Sequence, residues 1–223
     1  MAFPNVDKFL VKWFLQRFEE VQLDLERFVE DTFNDLEAET EQVEIITYLT
    51  ETTFTDSVQD REEGKRFAYI LPHYPVAEVN FPQIAISLGQ ENQSDKFLGD
   101  ATGESFPVTD DDGNIVAFDV QKGYLATATW QIDVVCGTKD EAIWLSRCCQ
   151  RFICEALDEL DQIGANEISI SLADLKLDDK AMMQPMTVFN RAISISAKVA
   201  NTWLKRVPAY TYRTGNNVAL DGP

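Results

Sequence analysis

The stretch Gly123-Tyr124-Leu125-Ala126-Thr127-Ala128-Thr129-Trp130-Gln131-Ile132-Asp133-Val134-Val135-Cys136-Gly137-Thr138-Lys139-Asp140-Glu141 changes its period midway. Up to Cys136 it alternates. Ala126, Ala128, Trp130, Ile132 and Val134 fall on one side, and Thr127, Thr129, Gln131 and Asp133 on the other. That is a strand with one buried and one wet face. From Thr138 the apolar steps become three and four: Ala142, Leu145, Cys149, Phe152, Ile153, Ala156, Leu157 and Leu160. This spacing predicts an amphipathic helix over Lys139–Gln162. Thr138 with Glu141 three residues on makes a capping box, and Gly164 stops the helix. A strand that feeds straight into such a helix reads as part of an α+β chain.

Working outward, Ile115–Val120 reads as a strand paired with Tyr124–Cys136. Ile168–Leu172 is a further strand that Leu175–Leu177 extends. Val188–Trp203 is a long one, with Phe189, Ile193, Ile195, Ala197, Val199 and Trp203 on one face. Upstream, Phe67–Leu71 is a short strand, and Ile84–Leu88 is another, closed by Gly89. Glu91–Pro107 is polar and contains glycine, which predicts a long loop, and Gln59–Lys65 predicts a shorter one. Residues 43–54 are β-branched and aromatic and suit a strand. Residues 5–36 carry one apolar stripe from Val6 to Leu36 and predict a single long N-terminal helix capped by Asn5. The expected organisation is one α+β domain over 1–203 and an extended tail over 204–223. The domain divides into the 1–36 helix, an insertion-like segment at 37–79 and a core at 80–203.

With 223 residues, 45% of them hydrophobic and 26% charged, the chain buries a core of useful size without a metal or disulfide staple. Its formal net charge is −19. Such a chain repels nucleic acid, because duplex binding needs basic groups that displace counterions, and it has no polybasic segment to seek anionic lipid. Residues 1–63 hold 17 acidic and 5 basic side chains, so most of the acidity sits in the first third. The runs at 37–41 and 61–63 read either as solvated surface or as an electrostatic surface that sets a partner or lines a pore. The N-terminus lacks the apolar core of a signal peptide, and no apolar run reaches the length of a membrane span, so synthesis in the cytosol is expected.

Chemistry is sparse. There is no glycine-rich phosphate loop and no G-x-S-x-G. The single histidine, His73, lies among prolines and reads as an ordinary loop residue. Cys136, Cys148, Cys149 and Cys154 form no C-x-x-C pair. They read as buried small apolar residues in a reduced compartment, or as cross-links between neighbouring subunits. In Asp110-Asp111-Asp112-Gly113-Asn114 a calcium loop is incomplete, because Val108 stands at its first ligand position, and a turn joining two strands explains the same residues. No cofactor, metal or catalytic group is expected, and the chain is read as a non-enzyme.

The order of elements carries a resemblance. Phe81-Pro82-Gln83-Ile84-Ala85-Ile86 leads to a loop with Phe97-Leu98-Gly99-Asp100, then to the strand from Gly123-Tyr124 to Val135 and its helix, then to two more strands. In this layout residues 80–203 resemble the tail terminator and tail-completion proteins found at the neck of tailed bacteriophages. The resemblance implies an α+β fold, an antiparallel or mixed β-sheet backed by helices, assembled into a homohexameric ring that caps the tail tube and joins it to the head connector, with DNA passing through unbound and no membrane involved. It implies a place in the neck of a virion assembled in the host cytoplasm. The extra length at 37–79 and at the C-terminus suits a contractile tail, where the sheath also needs a partner. A head-completion or stopper protein, or another neck or baseplate ring, is an alternative. A cytosolic α+β binding module or enzyme is an alternative of another class, separable by subunit mass and small-molecule affinity. The subunit and ring contacts are expected at Phe97, Leu98 and Asp100 of the loop and at Val207, Tyr210, Tyr212 and Arg213 of the tail. There the tyrosines and basic groups suit an interface, against the alternative of a frayed terminus.

Overall fold

Why the helices lie where they do follows from one residue, Phe152. Its ring is fully buried and meets Phe14, Phe18 and Phe28 at centroid distances of 6.0, 4.9 and 5.7 Å. The structure is a computed structural model that describes residues 5–35, 39–57, 64–73, 81–98, 105–175 and 188–208. In chain order the helices α1 (Val6–Val21), α2 (Leu25–Thr32) and α3 (Glu39–Glu51) precede the strands β1 (Thr52–Thr55), β2 (Arg66–Leu71), β3 (Gln83–Leu98), β4 (Ser105–Thr109) and β5 (Ile115–Cys136). Helices α4 (Lys139–Glu155) and α5 (Leu157–Gln162) follow, then β6 (Ala165–Leu175) and β7 (Phe189–Pro208). The strand order is β1-β2-β3-β5-β7-β6, with β4 beside β5. β1 pairs parallel to β2 and β2 parallel to β3, whereas β4 and β5 are antiparallel, so the fold is α+β with a mixed sheet, as expected.

The chain divides into two compact units. The helix-backed unit comprises Asn5–Glu91 and Ala128–Ala197; the strand unit comprises Met1–Pro4, Asn92–Thr127 and Lys198–Pro223. In the helix-backed unit Trp130, Ile132 and Val134 of β5 and Ile193, Ile195 and Ala197 of β7 are buried, as are Leu145, Cys149 and Phe152 of α4. The alternation read from the sequence therefore has the expected inner face. Thr138 caps α4, its hydroxyl accepting from the Glu141 amide at 3.3 Å, and Gly164 ends α5 with φ +96°. The strand at β2 also stands as expected.

Several expectations are corrected. The single helix over 5–36 is two helices. A straight helix of that span would be about 48 Å long. The chain instead breaks at Gln22-Leu23-Asp24, where the Leu23 and Asp24 amides bond three residues back, and Phe28 and Val29 are buried. Leu36 lies outside the described residues.

Residues 43–54 are not a strand but most of α3 followed by β1. The buried positions Ile45, Tyr48, Leu49 and Thr52 step by three, one and three, a helical stripe that overrides β-branched composition. The hydroxyls of Thr47, Thr50 and Thr52 donate to carbonyls four residues back, at 2.7–2.8 Å, which accommodates these residues in helical turns.

Gly89 does not close β3. A Cβ there would stand 3.4 Å from the Thr129 carbonyl oxygen, so the glycine fits a close approach of strands rather than a stop. β3 runs on to Leu98 and β4 begins at Ser105, so the expected 91–107 loop is strand over most of its length. Residues 115–120 and 124–136 are one strand, and the hairpin partner of the first part is β4.

The helix over 139–162 is interrupted at Ala156, where the Trp13 indole N–H donates to the Phe152 carbonyl at 2.8 Å. The Ala156 amide there is shared between Phe152 and Ile153. β7 continues to Pro208, so the expected tail loses its first residues to the strand. Asn5 makes no side-chain cap; its carbonyl accepts from the Phe9 amide instead. Of the 59–65 loop, only Gly64 and Lys65 are among the described residues, and Lys176 and Leu177 of the expected β6 extension lie outside them.

Candidate interaction surfaces

The strand unit is built, among the described residues, from strands alone: the ends of β3 and β7, all of β4, and the first part of β5. Its hairpin is set by a turn. The Asp110 carboxylate accepts from the Asp112 amide at 3.1 Å and from the Asn114 amide at 2.8 Å, and Gly113 takes φ +82°. The turn reading of Asp110–Asn114 holds. Among the described residues no group of three or more His, Cys, Asp or Glu side chains could hold a metal ion.

Register puts Phe106 opposite Asp119, Pro107 opposite Phe118 and Val108 opposite Ala117, with an irregularity before Thr109 opposite Ile115. Opposed residues share a face, so Phe106, Val108, Ala117 and Asp119 lie on one side and Val116 and Phe118 on the other. Phe106 and Ile115 are 49% exposed and Val116 48%, so large apolar side chains meet solvent on both faces of this hairpin. Beside it, Arg206 donates twice to Asp119, at 2.9 and 3.0 Å. These bonds hold the Asp119 carboxyl below its ordinary value. Lys205 is exposed, and β7 as a whole carries four basic residues and no acidic one.

The residues expected at the interface fall into three groups. Phe97 and Leu98 are the last residues of β3 rather than of a loop, and their side chains lie outside the described set. Val207 is half-buried near the end of β7. Asp100, Tyr210, Tyr212 and Arg213 lie outside the described residues. The exposed residues of the β4–β5 hairpin are not among the expected ones. Their signal was the short apolar run Phe106-Pro107-Val108 on one side of the Asp-Gly turn and Ile115-Val116 on the other.

The helix-backed unit offers a different chemistry. The carboxylates on its helices are not all free surface. Arg147 donates twice to Asp35, at 2.6 and 2.8 Å, Arg17 bonds Glu155 at 2.6 Å and also Glu20, and Arg151 bonds Glu155 at 2.9 Å and the Thr32 hydroxyl at 2.7 Å. These pairs tie α1 and α2 to α4. On the outer face of β5 the expected wet side is not wet throughout. Asp133 is buried, and its carboxylate accepts from the side-chain amides of Gln131 at 2.9 Å and Asn190 at 3.4 Å.

Cys136, Cys148 and Cys149 are buried and Cys154 is exposed. Burial pushes the Cys148 thiol up to about 12 and raises Cys136 and Cys149 as well, which makes all three poor nucleophiles. The buried Tyr48 phenol is likewise raised by burial; Arg66 lies over its ring at 5.1 Å and Trp144 meets it edge-on at 5.6 Å. His73 is exposed. No described helix is long and apolar enough to cross a membrane.

Compared with known proteins, the chain matches no family model and no curated protein sequence.

Proposed function

We propose that the chain is a structural subunit of the neck of a tailed bacteriophage, a non-enzymatic protein that forms a homohexameric ring. The ring caps the tail tube, contacts the sheath where the tail is contractile, and joins the tail to the head connector. The observation that carries this reading is the β4–β5 hairpin, which leaves Phe106, Ile115 and Val116 half-exposed on two faces of one short element. Exposed apolar side chains gathered in this way mark a protein–protein contact. A ring subunit needs a pair of complementary surfaces on each copy. The net charge of −19 per subunit suits a channel through which DNA passes without adhering, since like charge repels the duplex.

The resemblance places Phe97, Leu98 and Asp100 at ring contacts, and Val207, Tyr210, Tyr212 and Arg213 in the segment that reaches a neighbour. Two experiments address the reading. Electron microscopy of intact particles labelled with antibody against this chain is expected to show label at the head–tail junction. Label confined to the head shell, or absent from particles, would overturn it. Deleting 209–223, which spares β7, is expected to leave far-UV dichroism unchanged and to reduce ring formation. Rings at normal yield from the truncated chain would remove the proposed role of Tyr210, Tyr212 and Arg213.

A further inference from the structure

We propose that the outer edge of β6 pairs antiparallel with the β6 edge of a second copy, centred on Ile170, and joins the two sheets across a two-fold axis. The contact is isologous, so it differs from the head-to-tail contact of a ring and does not rest on the ring reading. β6 is the last strand of the sheet, and among the described residues no strand lies beyond it. A free edge presents a row of unpaired backbone N–H and C=O groups, and proteins guard such edges with short strands, proline or charge. The opposite edge is guarded: β1 is four residues long, and the Gln22 side chain donates to its Thr52 carbonyl at 3.3 Å. β4, which pairs with β5, is five residues long and holds Pro107. β6 has eleven residues, and its run Ile168-Ser169-Ile170-Ser171-Leu172-Ala173 contains no charge, proline or glycine. From Ser169 to Ala173 every residue is exposed, Ile170 at 36% and Leu172 at 42%.

The pattern of this run fits a copy of itself. Opposed residues of an antiparallel pair share a face. With Ile170 opposite Ile170, Ile168 falls opposite Leu172 and Ser169 opposite Ser171, so apolar meets apolar and hydroxyl meets hydroxyl. Glu167, at φ +52°, bends the strand just before the run. Glu167 and Asp174 flank the run, and in this register they fall opposite Ala173 and Asn166, so no two acidic residues are paired. A centre at Ser171 instead sets Asp174 against Ile168 and Glu167 against Leu175, and a centre at Ser169 sets Asn166 against Leu172. A centre between two residues sets isoleucines against serines. One register therefore suits the strand. In a chain of net charge −19, whose copies repel one another, an uncharged edge is where a second copy meets the least repulsion.

The test uses the full chain without tail tubes. Sedimentation is expected to show self-association that tightens between about 20 mM and about 500 mM salt, as screening relieves the repulsion of like net charges. Ile170→Asp sets two carboxylates opposite one another and is expected to weaken pairing by at least about tenfold, with dichroism to check that the variant folds. Cross-linking reads the register, in a chain carrying Cys154→Ser to remove the exposed thiol. Opposed Cα atoms stand about 4.5–5.5 Å apart, and a disulfide needs a separation below about 7 Å. Ile170→Cys is therefore expected to link copies in pairs on mild oxidation, whatever larger species the chain forms. Ser169→Cys alone is expected not to link, because its copies stand diagonally, but to link with Ser171→Cys when the two are mixed. A chain monomeric at both salt concentrations would overturn the contact. So would association indifferent to Ile170→Asp, or Ser169→Cys linking alone as fast as Ile170→Cys. Label at the neck together with any of these results would leave the ring reading standing. The expected cross-links with no label at the neck would do the reverse.

Discussion

The two units of this chain differ in where their aromatic side chains go. In the helix-backed unit, Phe14, Phe18, Phe28 and Phe152 are shut away beneath helices, and arginines of α1 and α4 tie the helices together. In the strand unit Phe106, Ile115 and Val116 stand half in solvent. Charge is divided as unevenly. The helix-backed stretches hold 30 acidic and 13 basic residues, and the strand stretches hold 8 and 6. The first unit joins a shared aromatic core to an acidic surface on which Leu23, Val43 and Leu172 stand exposed, and the second is nearly neutral with its exposed apolar residues Phe106, Ile115 and Val116 on one hairpin.

The largest expected effect lies in the helix-backed unit. Phe152→Ala removes the ring on which three other phenylalanines converge and is expected to cost about 3–5 kcal/mol of unfolding free energy by denaturant titration. A loss below about 1 kcal/mol would mean that the cluster is not the centre of that core.

The next effect depends on pH. Cys148 is raised from 9.0 to about 12 by burial, so the folded state holds its proton when the unfolded state has lost it. Stability from this group is fully present below pH 9 and falls as pH rises from 9 toward 12, by up to about 1.4 kcal/mol per unit. Cys136 and Cys149 are shifted in the same direction and add to the slope. Unfolding titrations at pH 8 and 10.5 are expected to show a smaller loss for Cys148→Ala than for wild type. Equal losses would place the thiol in contact with water.

The smallest effect belongs to the strand unit. Phe106→Ser and Val116→Ser are expected to change the stability of the isolated subunit by no more than about 0.5 kcal/mol, as exposed substitutions generally do. Losses comparable to that of Phe152→Ala would show that the hairpin has an intramolecular cover and that the contrast between the units is false.

The helix-backed core was largely legible because Ala128 to Val134 and Ala142 to Leu160 each repeat at one clear period, and both inner faces are buried as read save for the half-buried Leu157. What was not legible has physical causes. α3 is rich in threonine and isoleucine, and its helix rests on the Ile45, Tyr48, Leu49 stripe and on hydroxyls that bond carbonyls a turn back, features weaker to the eye than its composition. The break at Gln22-Leu23-Asp24 has neither glycine nor proline; only the exposure of Leu23 marks it. The run of β3 past Gly89 is hidden because a glycine at a close approach of strands reads like one at a turn. The candidate surface on the β4–β5 hairpin was legible in the turn at Asp110–Asn114 but not in the fate of the residues beside it. Which of Phe106, Ile115 and Val116 are covered depends on what packs over them, and the local pattern does not record that.

The central claim is that this chain is an assembling ring subunit, and its most direct test is native mass. The purified 25.3 kDa chain should be measured alone and after incubation with purified tail tubes. The account predicts a species of six subunits, formed in solution or only at tube ends, where electron microscopy shows a ring at one end of each tube. A monomer under every condition, beside tube ends that stay bare, would contradict it.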